Sequence, residues 1–226
     1  MNKIIEQLFN LKNDEYKNFN SKIINTQYPI IGGKTDILKR IAKENLVNYK
    51  NYFNEKHKYY EEFMIHGLML GYLKLPIDEL IYLLDQYIDM INCWSMVDSI
   101  VSNLKIFKKN LDLIFELSKH YIKSDDEFRV RFGYCILLCY FINSNNDKYN
   151  QEIINLCNKK HSKYYIQMMV AWLLSVYYIK YPEKGFEFLK DNKLDDFTHN
   201  KTISKICDSF RIMDDKTLIK KLRRIK

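Results

Sequence analysis

The stretch YYIQMMVAWLLSVYYI, residues 164–179, is apolar almost all the way round a helical wheel. A helix of that kind must be covered on nearly every side. Four other segments repeat apolar residues at three- and four-residue steps: EEFMIHGLMLGYLK (61–74), IDELIYLLDQYIDMI (77–91), LDLIFELSKHYI (111–122) and FRVRFGYCILLCYFI (128–142). No region sustains the two-residue alternation of a half-buried strand. Only six glycines and three prolines interrupt the chain, which argues against a turn-rich β protein. Pro76 and Pro182 each follow a periodic run and fit the first turn of a new helix. Asn51 to Asn54, Asn92, Ser124 and Asn143 to Asn146 break the runs. The expected fold is all-α, with about a dozen helices paired antiparallel at a repeat near ~40 residues. That describes an α-solenoid of about six HEAT-like helix pairs, with a compact bundle as the alternative.

The 226 residues, 47% hydrophobic, are read as one folded domain spanning 1–226, with ample apolar material for a core. No run of 18 apolar residues exists, and MNKIIEQLFN lacks the apolar heart of a signal peptide. The expected location is therefore the cytosol, away from membranes. Five cysteines at 93, 135, 139, 157 and 207 form no C-x-x-C pair, and the odd count fits a reducing compartment. Cys135 and Cys139 share a helix face and read as small core residues. The five histidines are scattered, so no metal site or cofactor is expected.

Thirty-six Lys and Arg against 28 Asp and Glu give a net charge of +8, which attracts polyanions in a salt-dependent way. Half of it lies in DDKTLIKKLRRIK (214–226), with six basic and two acidic residues. Such a tail also reads as a solvated helix end.

GGKT (32–35) resembles the end of a phosphate-binding loop. The glycine that loop needs five residues before Gly33 is Tyr28 here, and no strand leads into it. Gly32 and Gly33 instead end a segment, with Thr35 expected to cap the next helix. In NCWSMVDSIV (92–101), a helix capped by Asn92 or Ser95 would bury Val97, Ile100, Val101, Leu104 and Phe107. Trp94 and Asp98 then lie about 40° apart on one edge of that stripe, which Ser102 and Lys105 continue. Packing and the helix dipole favour such a pair, and so does a site that grips a cation. In FRVRFGYC, with Phe128, Phe132, Cys135 and Cys139 as core, Arg131 projects from the margin and Arg129 from the opposite side. Arg131 suits either a carboxylate of a neighbouring repeat or a phosphate. Trp172 sits in an apolar helix, where core packing is the ordinary role.

With these residues assembled, the chain resembles the AlkD-like DNA alkylation repair family, the HEAT-like-repeat alkylpurine DNA glycosylases. The resemblance rests on IIGGKTDILKRIAKE (30–44), WSMVDSIV (94–101), SDDEFRVRFG (124–133), YYIQMMVAWLL (164–174) and LDDFTHNKTISKI (194–206). It implies a concave basic groove for duplex DNA and a monomeric protein. Asp98 would be the catalytic carboxylate, Trp94 and Trp172 would line the lesion site, and Arg131 would sit beside the DNA backbone. Lys34 and Thr35 would fall where the N-terminal repeat approaches DNA. The implied substrates are cationic N3- and N7-alkylpurines in duplex DNA. Two positions depart from the family: Met168 and Ser175 stand where many members carry a lysine and an arginine. A non-catalytic DNA-binding solenoid and a protein-interaction scaffold are the competing readings.

Overall fold

The structure is a computed structural model that describes residues 3–142, 147–212 and 216–224. Every regular element among these residues is helical, as the periodicity requires. The chain divides into two compact units, Met1–Asn110 and Leu111–Lys226. The link at Asn143 to Asn146 and residues Asp214, Asp215, Ile225 and Lys226 of the basic tail lie outside the described residues.

The first unit contains α1 (Lys3–Asn10), α2 (Asp14–Ile23), α3 (Thr35–Glu44), α4 (Tyr49–Phe53), α5 (Tyr60–Tyr72), α6 (Ile77–Ile88) and α7 (Trp94–Val101). Single 3-10 turns occupy Leu46–Asn48 and Lys105–Lys109. Helix α5 is the centre of this unit. All of its residues from Tyr60 to Leu70 are buried, and it packs on α3, α6 and α7. Gly67 allows the close approach: a Cβ there would lie 2.6 Å from both Ile100 of α7 and the Tyr87 ring of α6.

A buried helix can hold a carboxylate only if its oxygens are satisfied. Glu61 is fully buried and accepts three backbone N–H groups, from Ile31 (2.9 Å), Gly32 (2.7 Å) and Gly33 (3.1 Å). Gly32 takes φ = 110°, and a Cβ on it would meet the Asn13 carbonyl oxygen at 2.5 Å. The Gly-Gly turn is thus a backbone anion nest, and a protein carboxylate fills it. This is the physical ground for excluding a phosphate loop at GGKT. Thr35 does not cap α3. Lys34 occupies the extended cap position and Thr35 is the first helical residue, with no side-chain cap bond, because Glu61 already dictates the path of the preceding backbone.

The second unit contains α8 (Leu111–Ile122), α9 (Glu127–Ile136), α10 (Asp147–Cys157), α11 (Tyr164–Lys180), α12 (Pro182–Lys190), α13 (Asp196–Asp208) and α14 (Thr217–Lys220). Helix α9 runs on into a π-helical turn, Leu137–Phe141, which leaves Cys139 half-buried rather than in the core with Cys135. Helix α11 packs on α9, α12 and α13, and α9 on α8. Asp126 and Asp195 cap α9 and α13 by accepting from Arg129 N (2.7 Å) and Thr198 N (2.9 Å). Pro182 opens α12, whereas Pro76 sits one residue earlier, at the cap of α6. Within the units, every second helix stacks on the next, α3–α5–α7 in one and α9–α11–α13 in the other. Such stacking is consistent with an α-solenoid.

Two predictions concern the first unit. Glu61→Ala leaves three buried donors without an acceptor, at about 1–3 kcal/mol for each group. We expect destabilisation by at least ~3 kcal/mol in urea unfolding, and a smaller effect for Glu61→Gln, which keeps one acceptor oxygen. The second prediction concerns pH. His57 Nε2 and His66 Nδ1 are 2.9 Å apart, and His66 stacks on Phe53 at 3.8 Å. Burial holds His57 neutral down to about 4. Burial, reinforced by His57, holds His66 neutral down to about 3. Unfolded, both titrate near ~6.5, so below that pH the unfolded chain binds protons that the native state refuses. Stability should fall as pH drops from ~6.5 towards ~4. Unfolding midpoints measured across this range should show the decline, and it should become shallower in a His57→Gln, His66→Gln double variant, the remainder belonging to His161 and His199, which burial also holds neutral.

Candidate functional site

Local packing on α7 decides what its first turn can present. Cys93 takes the extended cap position. Ser95 cannot cap, since it is buried with its hydroxyl 3.0 Å from Tyr60 OH and 3.3 Å from Cys93 Sγ. Asn92 cannot either, because its side-chain oxygen accepts from Thr26 Oγ1 at 2.7 Å. Val97, Ile100, Val101, Leu104 and Phe107 are all fully buried, as the wheel requires. The helix ends at Val101, so Ser102 and Lys105 lie beyond it and do not extend its edge.

That burial leaves Trp94 and Asp98 half-buried, one turn apart on the open edge of α7. The indole is fixed from outside the helix, where Trp94 Nε1 donates to the carbonyl oxygen of Ile23 at the end of α2 (3.2 Å). The strand-like link after α2 is also tied down. Tyr28 donates to the Met90 carbonyl (2.9 Å) and stacks on Phe63 at 3.9 Å. The result is an indole tethered to the end of α2, one helical turn from the half-buried Asp98. Lys34 and Thr35 are exposed at the start of α3, on backbone that the Glu61 carboxylate fixes.

In the second unit, Arg131 is deeper than the sequence suggests, only 4% exposed. Its Nη1 donates to the carbonyl oxygen of Tyr165 at 2.8 Å, and Tyr165 N donates back to Glu127 of α9 at 2.7 Å. Arg131 therefore fixes the start of α11 against α9. Arg129 lies over the Tyr121 ring at 5.4 Å. Trp172 departs from expectation in the other direction: it is 37% exposed, on a helix whose other faces are buried. Tyr164, Met168 and Trp172, four residues apart, form the open stripe of α11. Ser175 is buried and its hydroxyl donates to the Trp172 carbonyl at 2.7 Å.

Residues that sequence reasoning passed over surround Trp172. It lines a cleft of about 410 Å³ with Ser175, Lys205, Asp208, Phe210 and Arg211. Lys205 and Arg211 bring positive charge to the neighbourhood of Ser175 from α13 and the turn after it. The signal in the sequence was the i, i+4 spacing of Lys201 and Lys205 on α13. Among the described residues, no group of three or more His, Cys, Asp and Glu is placed to hold a metal. No described helix is long and apolar enough to cross a membrane.

The profile of the DNA alkylation repair enzyme family matches residues 4–206, and the chain belongs to that family. A search of curated proteins finds no match. The candidate residues all sit on the stacked helices: Lys34 and Thr35 at α3, Trp94 and Asp98 on α7, Arg131 on α9 and Trp172 on α11.

Trp172 provides a test that separates packing from ligand contact. A core tryptophan costs ~3–5 kcal/mol when cut to alanine. For the partly exposed Trp172, we expect Trp172→Ala to cost about 1–2 kcal/mol by chemical unfolding, while DNA-directed activity falls by at least ~10-fold.

Proposed function

We propose that the protein is a DNA glycosylase that releases cationic N3- and N7-alkylated purines from duplex DNA, with Asp98 as its catalytic carboxylate. The observation that carries the reading is the Trp94–Asp98 pair on the open edge of α7, in a chain of the DNA alkylation repair family.

The chemistry suits these groups. Alkylation at N3 or N7 gives the purine a positive charge, so it leaves with the electron pair of the glycosidic bond and needs no proton from the protein. The deoxyribose becomes oxocarbenium-like as that bond breaks. A fixed carboxylate at Asp98 stabilises this developing charge and orients the water that adds to C1′. The indole face of Trp94 attracts the cationic base or the polarised sugar by ~0.5–2 kcal/mol. Its bond to Ile23 means that no ordering cost falls on the reaction step. Trp172 supplies a second aromatic face, and Lys34 and Thr35 supply exposed groups for the DNA backbone. Arg131 acts by holding the start of α11 in place.

A second reading, DNA binding without excision, draws on Met168 and Ser175, which put no charge beside Trp172. Lys205 and Arg211 line that cleft with Asp208, and their charge serves DNA binding under either reading.

Single-turnover release of 7-methylguanine and 3-methyladenine from methylated duplex separates the two. We predict that Asp98→Asn slows release by at least ~10-fold with duplex affinity nearly unchanged. The carboxylate meets full positive charge mainly in the transition state, so its removal falls on the rate. Uracil, a neutral leaving group, should stay in place. Equal rates for Asp98→Asn and wild type would remove Asp98 from the mechanism.

A further inference from the structure

The segment 216–224 lies beyond the matched family region and reads KTLIKKLRR, five basic residues and no acid. It is docked, not a free tail. Ile219 joins Leu189, Ile203 and Ile206 in a small core, with Leu222 packed against it. Lys216 Nζ donates to the carbonyl oxygens of Cys207 (2.6 Å) and Ser209 (3.1 Å), which satisfies the end of α13. Arg224 closes the other end. Its guanidinium donates to Leu194 O (2.6 Å), Asn192 O (3.1 Å), Asn192 Oδ1 (2.8 Å) and Asp196 Oδ1 (3.2 Å). Its backbone pairs with the Asn200 side chain in both directions, each bond 2.9 Å.

Lys216 and Arg224 therefore fasten the segment through backbone carbonyls, and the side chains of Lys220 and Lys221 take no part in the docking. Lys220, Lys221 and Arg223 remain exposed, with no ion pair among the described residues. Arg223 Nη2 donates to Ser204 Oγ at 3.0 Å, which places its charge along α13. Lys220, Lys221 and Arg223 stand close in the chain with no acid in their segment, and like charges so placed repel. A regularly charged polyanion relieves that repulsion and gains the entropy of counterion release.

We infer that Lys220, Lys221 and Arg223 form a contact surface for the phosphate backbone of duplex DNA, apart from the atoms that react. The inference rests on the DNA-directed reading above and assigns the part of the chain that meets the backbone. Contacts of this kind position the duplex without reading its sequence.

The test is the triple variant Lys220→Gln, Lys221→Gln, Arg223→Gln in the full chain, titrated with undamaged duplex at several salt concentrations. Removing one cation–phosphate pairing makes the slope of log K against log salt shallower by ~0.9. The expected result is a slope shallower by about 2–3, affinity at low salt reduced at least ~10-fold, an unchanged thermal midpoint, and unchanged base release at saturating DNA. A wild-type slope and affinity in the triple variant would overturn this inference and leave the glycosylase reading standing. Wild-type protein without salt-dependent duplex affinity would overturn both. If the triple variant melts lower, Lys221→Glu alone decides in the same way, since that side chain makes no bond in the structure. It must weaken duplex binding for the inference to hold.

Discussion

A helix buried on nearly every side has no stability in water until other helices surround it. Both units are organised around such a helix, α5 in the first and α11 in the second. The surrounding helices follow from that need. Helices α3, α6 and α7 cover α5, and α9, α12 and α13 cover α11. What remains uncovered is informative for the same reason. On α11 the gap in the cover is the stripe through Tyr164, Met168 and Trp172. On α7, which buries its own apolar stripe against α5, it is the edge holding Trp94 and Asp98.

Several polar groups tie irregular backbone or helix ends to their neighbours. Glu61 collects the three donors of the Ile31–Gly33 turn, Arg131 donates to the carbonyl of Tyr165, and Lys216 and Arg224 take carbonyls around α13. Each fixes a junction that delivers a candidate residue: Lys34 and Thr35 after the Glu61 nest, α11 and its Trp172 stripe after Arg131, and the exposed cations between Lys216 and Arg224.

Much of this was legible in the sequence. The helical period predicted an all-helical chain, and the stripe from Val97 to Phe107 was read correctly because α7 packs on a single partner face. The departures share one cause. A wheel describes one helix, whereas burial depends on its neighbours. Arg131 sits at the margin of the α9 wheel yet is enclosed, because α8 and α11 pack on α9 together. Trp172 looks like core on the α11 wheel, because an aromatic left open on a helix has the same composition as one that faces another helix. Glu61 resembles a dipole-favoured acid in a first turn. Its true partners lie 28 to 30 residues away, beyond any local pattern.

The central claim is that this family member breaks glycosidic bonds rather than only holding DNA. The most direct measurement is the time course of 7-methylguanine release from methylated duplex with wild-type protein in excess over DNA. The account predicts a single exponential well above the spontaneous rate, with no release of uracil from a matched duplex. Release at the spontaneous rate under conditions where the protein saturates the duplex would contradict it and leave a DNA-binding protein without this chemistry.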